Sequence, residues 1–173
     1  MDGMNRLGWA SAMLAATIML SSCSSLMQGD QYVFPLADEP SATLRTQYKA
    51  GTDLHLMNLN DKGCYAGYTP LPYINGVIES PVAVEKELVV TYRRESVGKV
   101  CQITFSFIPE KSATYTVTAG SWSETKKGIV PWLTAEQQFC GVAMVKEIGG
   151  TETIEPVQKL RIDAGITCHK FVK

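Results

Sequence analysis

The chain has 173 residues, 45% of them hydrophobic and 19% charged, with 16 lysines and arginines against 17 acidic residues and a formal net charge of −1. That hydrophobic share supports an ordinary core, and the length suits one domain behind a leader. The even charge balance excludes an electrostatic footprint for nucleic acid and a polybasic patch for a membrane surface.

Met1 to Arg6 is short and polar with one basic residue, and Leu7 to Leu20 is an apolar run without a charge. A basic segment followed by an apolar one of this length reads as an export signal, too short to cross a hydrocarbon core of about 30 Å as a helix. It ends in Leu20-Ser21-Ser22-Cys23, which resembles the bacterial lipobox. The resemblance implies that residues 1–22 are a signal peptide and that Cys23 takes a diacylglyceryl thioether. Cleavage before Cys23 would then free an α-amine for further acylation, by palmitate or a similar chain. Two or three acyl chains anchor stably, at about 0.8 kcal/mol per buried CH₂. Ser24 and Ser25 follow, where an aspartate would imply inner-membrane retention. In a Gram-negative envelope the resemblance would then imply the outer membrane, on its periplasmic side.

Residues 23–42 mix small, polar and proline residues without periodicity and are expected to be a lipidated tether. Tyr32-Val33-Phe34 is the one stretch there that could dock as an edge strand. From residue 43 to 173 the pattern is β. Leu44, Thr46 and Tyr48 alternate with polar residues, Leu54 and Leu56 continue, and Asn60-Asp61-Lys62-Gly63 turns the chain. Pro81 to Arg93 reads as one strand rich in β-branched residues. In Val100 to Ile108, Cys101, Ile103, Phe105 and Phe107 share one face and Gln102, Thr104 and Ser106 the other. Thr114 to Ala119, Phe139 to Val145 and Val157 to Ile162 complete the set, and Thr134 to Gln138 suggests a turn or two of helix. About seven short strands predict an all-β antiparallel sandwich, immunoglobulin- or transthyretin-like.

Besides Cys23 there are Cys64, Cys101, Cys140 and Cys168. An even number in an exported chain reads as two disulfides, and three pairings are open. If Cys64 joined Cys101 and Cys140 joined Cys168, each bond would close a loop of about thirty residues and contribute roughly 3–4 kcal/mol. No Cys-x-x-Cys occurs and His169 is the only histidine beside a cysteine, so no metal is expected. The succession Cys101, a strand ending in Pro109-Glu110, Tyr115-Thr116-Val117, then Cys140 in a further strand is similar to the core of small proteobacterial β-sandwich lipoproteins. That likeness implies a fold and carries no activity.

The chain has no nucleophile elbow, no glycine-rich phosphate loop and no His-Glu-x-x-His, so no catalytic residue and no cofactor are expected. His55 reads as an exposed strand residue, opposite Leu54 and Leu56. Glu85 and Glu87, two apart in an extended segment, read as a solvated face. Binding surfaces are better candidates. Cys64 to Tyr73 places Tyr65, Tyr68 and Tyr73 in a loop pinned by a disulfide, and tyrosine offers contact area at low entropic cost. Gly120 to Gln138 reads as a long connection carrying Trp122 and Trp132.

Ser112-Ala113-Thr114-Tyr115, with Trp122 and Lys127-Gly128, faintly resembles the loops of periplasmic lysozyme inhibitors of the membrane-bound C-type family, but lacks their glycine. The expectation is a non-enzymatic envelope lipoprotein, bound to the membrane through Cys23, whose β domain binds another envelope component. The alternatives are an enzyme inhibitor of that kind or a hydrolase acting through His55.

Overall fold

A computed structural model describes Gly29, residues 31–127 and residues 134–173. The signal segment, the lipobox with Cys23, and Trp132 lie outside the described residues. Twelve strands run through the rest: β1 (Ser41–Gln47), β2 (Thr52–Leu59), β3 (Tyr65–Pro70), β4 (Tyr73–Ile74), β5 (Val77–Ala83) and β6 (Leu88–Ser96), then β7 (Lys99–Phe107), β8 (Thr114–Lys127), β9 (Thr134–Ile148), β10 (Thr151–Glu155), β11 (Gln158–Ala164) and β12 (His169–Val172). They form two six-stranded sheets, ordered β10-β9-β8-β1-β5-β4 and β12-β11-β7-β6-β2-β3. Every pairing is antiparallel except that of β1 with β8.

The period-2 patterns decide which faces meet. Ala42 and Leu44 of β1, Leu54 and Leu56 of β2, Val90 and Tyr92 of β6, and Phe105 and Phe107 of β7 point into one core with Tyr115, Val117 and Met144. Tyr115 is fully buried, its ring 4.8 Å from that of Phe107, and its hydroxyl accepts the Glu110 N–H at 2.9 Å. The layered all-β architecture expected from the sequence is present.

Several finer expectations are corrected. Pro81 to Arg93 is not one strand: β5 ends at Ala83, Glu85 takes a left-handed φ of 63°, and β6 begins at Leu88 in the other sheet. Glu85 and Glu87 therefore do not share a strand face, and Glu87 accepts the Ser106 hydroxyl at 2.7 Å. Gly120 to Gln138 is not a long loop. β8 and β9 pair residue by residue from Thr114↔Glu147 to Lys127↔Thr134, which also replaces the helical turn expected at Thr134 to Gln138. Cross-strand hydrogen bonding here overrides local helix preference.

Both disulfides form, in neither of the pairs used to illustrate the loop lengths. Cys101 joins Cys140 across the two sheets, and Cys64 joins Cys168 over a separation of 104 residues. The chain before β1 lies on the domain from Gln31 onward. The Tyr32 N–H donates to Thr69 Oγ1 at 2.7 Å, its hydroxyl accepts the Ala83 N–H at 2.7 Å, and Tyr32 and Phe34 pack against the core. Gly29 makes a bridge to Gly67 of β3.

Candidate functional site

The sheet β12-β11-β7-β6-β2-β3 has β12 and β3 at opposite edges, yet Cys64, just before β3, is bonded to Cys168, just before β12, with Cα atoms 5.2 Å apart. The geometry of β11 makes this possible. Its first residues pair with β7 (Gln158↔Ser106 to Leu160↔Thr104), while its last pair with β12 (Arg161↔Val172 to Ala164↔His169). The β11–β12 hairpin thus leaves the line of the sheet and arches over its outer face until it meets β3. Tyr65 and Phe171 close the contact edge to face at 6.1 Å.

Beneath the arch is a cavity of about 460 Å³. Its floor is the outer face of the sheet: His55 and Met57 of β2, Thr91 and Arg93 of β6, Gln102 and Thr104 of β7. Tyr65 and Tyr68 of β3 form one wall, and Ile162, His169, Lys170 and Phe171 form the other wall and roof. Alternation explains the floor: because Leu54, Leu56, Val90, Tyr92 and Phe105 face the core, their strand neighbours must face outward. The arch then covers part of what would be a solvated face. Thr91 and Thr104, register partners, are buried there and bonded to each other at 2.7 Å.

The charged groups are held at the margins. Arg93 pairs with Glu95 on its own strand and lies 3.8 Å from Asp53. His55 rests against Tyr68, ring centroids 4.8 Å apart, and burial holds its pKa below the usual value. Asp53 opposes that shift and Arg93 adds to it, so burial decides the direction. Burial likewise raises the Tyr65 phenol, helped by the neighbouring Tyr68. The site is therefore a partly open hollow in which aromatic and apolar side chains, Met57, Tyr65, Tyr68, Ile162 and Phe171, stand among the polar groups of the floor and the cations Arg93 and Lys170. A volume near 460 Å³ falls in the usual range of small-molecule sites, about 300–1,000 Å³.

Of the five aromatic residues singled out from the sequence, the four that are described do not form one surface. Tyr65 and Tyr68 meet at the cavity. Tyr73 sits on β4 of the other sheet, 4.2 Å from Tyr48, where the expected loop is two separate strands. Trp122 lies on the β8–β9 ribbon, stacked on its cross-strand neighbour Phe139 at 5.7 Å, and is half exposed. Its ring also overlies Gly141, where an added Cβ would stand 3.2 Å from it. The sequence reading missed that His55 and His169 reach the same cavity, and missed Met57, Ile162 and Phe171 as lining. The only sequence signal for this was the cysteine pair, whose partners were open. Among the described residues no three histidine, cysteine or acidic side chains gather as a metal site. Comparison of the chain with protein-family models, curated proteins and solved structures finds no match to any of them.

Proposed function

We propose that the chain is a lipid-anchored envelope protein, held through Cys23, that binds another envelope component without catalysing a reaction. The binding site is the chamber under the β11–β12 arch. The observation that supports it most is the Cys64–Cys168 bond, which cross-braces the two walls of an aromatic-lined hollow. A braced cavity loses little conformational freedom when it is filled, and so binds with less ordering cost than a mobile surface. Outer-membrane attachment on the periplasmic side rests on the lipobox resemblance at Leu20-Ser21-Ser22-Cys23, and disulfides accord with an oxidising compartment. The immunoglobulin- or transthyretin-like class of sandwich belongs to the same reading, supported by two antiparallel-rich layers over one core.

The test is photo-crosslinking in native membranes, with a reactive side chain placed at Tyr68 or at Val97, the fully exposed turn residue between β6 and β7. A discrete adduct from position 68 and none from position 97 is expected. In parallel, intact mass of the membrane form should show a chain beginning at an acylated Cys23 and gaining about four daltons when both disulfides are reduced. Equal labelling from both positions, or an unmodified Cys23, would overturn the corresponding half of the reading.

A further inference from the structure

We infer that the ligand of this chamber is one acyl chain of a membrane lipid, with its head group left at the rim. The inference rests on the chamber being the binding site, and two independent observations carry it beyond that.

The first is the chemistry of the lining. Met57, Tyr65, Tyr68, Ile162 and Phe171 supply apolar and aromatic surface on three sides. The polar floor groups Thr91 and Thr104 are turned on each other, and no carboxylate belongs to the lining. Lys170 stands exposed at the roof, where it can meet an acidic head group without entering the chamber. His55, Arg93, Gln102, His169 and Lys170 also belong to the lining, so a polar head group finds partners at the rim while a hydrocarbon chain, with no polar group of its own to leave unpaired, meets the apolar surface.

The second is where the chain enters the domain. Gly29 is bridged to Gly67, and Gly67 lies on β3 between the wall residues Tyr65 and Tyr68. The approach is so close that a Cβ on Gly29 would stand 1.9 Å from the Ala66 carbonyl oxygen. Cys23 is six residues upstream. Six residues of fully extended chain span at most about 20 Å, so a lipid on Cys23 keeps the wall of the chamber within that distance of the bilayer. The attachment point and the apolar hollow share one strand, which places acyl chains nearer to this cavity than any soluble ligand is held.

The test is calorimetric titration of the chain from Ser24 onward with hexanoate, octanoate and decanoate, each below its micelle concentration. All twelve strands and both disulfides lie within that chain. Each methylene taken out of water should tighten binding about fourfold, so successive members should differ by roughly fifteenfold until the chamber is full. Met57→Asn and Ile162→Asn, each placing an uncharged polar group in the lining, should weaken decanoate by about tenfold, while Val97→Asn should not. Affinity that does not rise with chain length, or rises equally in the two lining variants, overturns the inference. If a variant fails to keep its disulfides, the chain-length series on the unaltered protein still decides. A flat series beside a specific crosslink from Tyr68 to a protein or glycan would sink the acyl ligand and leave the binding reading standing. A flat series without any crosslink would remove both.

Discussion

Replacing Thr91 and Thr104 with valine, singly and together, probes whether the floor of the chamber is dry. The two hydroxyls are 3% and 8% exposed by residue, face each other across β6 and β7, and share a hydrogen bond of 2.7 Å. Thr91→Val keeps the shape and leaves the Thr104 oxygen without its partner, which costs about 1–3 kcal/mol for a buried group. Thr104→Val does the same in reverse. The double variant removes both polar groups, and its cost should fall below about 1 kcal/mol, since a matched apolar pair replaces a matched polar one. The two changes should therefore be non-additive by roughly 1 kcal/mol or more, where distant sites add within about 0.5 kcal/mol. Urea unfolding of the oxidised chain from Ser24, followed by tryptophan fluorescence and circular dichroism, reads all three free energies. Single variants indistinguishable from the parent would mean that water in the chamber replaces the lost partner, and a double variant equal to the sum of the singles would mean that the pair is not a unit. Either result refutes the reasoning.

Removing the outer disulfide with Cys64→Ala and Cys168→Ala should destabilise the domain by about 4.7 kcal/mol, against about 3.9 kcal/mol for Cys101→Ala and Cys140→Ala. This follows because loop-closure entropy grows with the separations of 104 and 39 residues; thermal or urea unfolding that reversed the order would contradict it. His55 has a folded pKa below that of the unfolded chain, so the unfolded state binds more protons between the two values. Stability should thus be full above the unfolded pKa of about 6.5 and fall as pH drops through the folded value, and His55→Gln should flatten that decline in urea midpoints taken from pH 8 to pH 5. Gly29→Val should lift the entering chain from β3, because Gly29 has a φ of +60° and no room for a Cβ beside Ala66. Faster proteolytic cleavage upstream of Tyr32, with an unchanged core by hydrogen exchange, is the expected result; unchanged cleavage would mean that the bridge to Gly67 does not hold the segment.

The sandwich was legible wherever one strand face is buried and the other is not. In β7 the run Cys101, Ile103, Phe105, Phe107 declares its inner face at once, and Leu54, Leu56 and Leu44 do so in β2 and β1. Strands without such a face left no trace. β10 and β11 are exposed along nearly their whole length, and β4 is only Tyr73–Ile74, so about seven strands were expected where twelve run through the described residues. The break at Glu85 was hidden because residues on both sides of it alternate in phase. The ribbon of β8 and β9 read as a loop because pairing at its far end depends on backbone hydrogen bonds rather than on burial. The chamber was least legible of all. Its floor residues look like the solvated face of an ordinary strand, and they become a lining only when β12 crosses to β3. That crossing depends on which cysteine meets Cys168, a contact 104 residues away that no local pattern encodes.

The nesting of the two bonds has a consequence for how the protein can mature. After Cys23, which the proposed lipid would occupy, a chain that emerges from its N-terminus presents Cys64, then Cys101, then Cys140, and Cys168 last. The native partners are first with last and the middle two with each other. An oxidant acting on cysteines in order of appearance would join Cys64 to Cys101 and strand both. Correct oxidation must wait for the sheets to assemble, or be reached by thiol exchange, which without an isomerase takes minutes to hours. The bond that braces the arch needs the cysteine made last, so the hollow is completed only once the whole domain is available, and the yield of competent protein depends on how readily mispaired bonds can be exchanged.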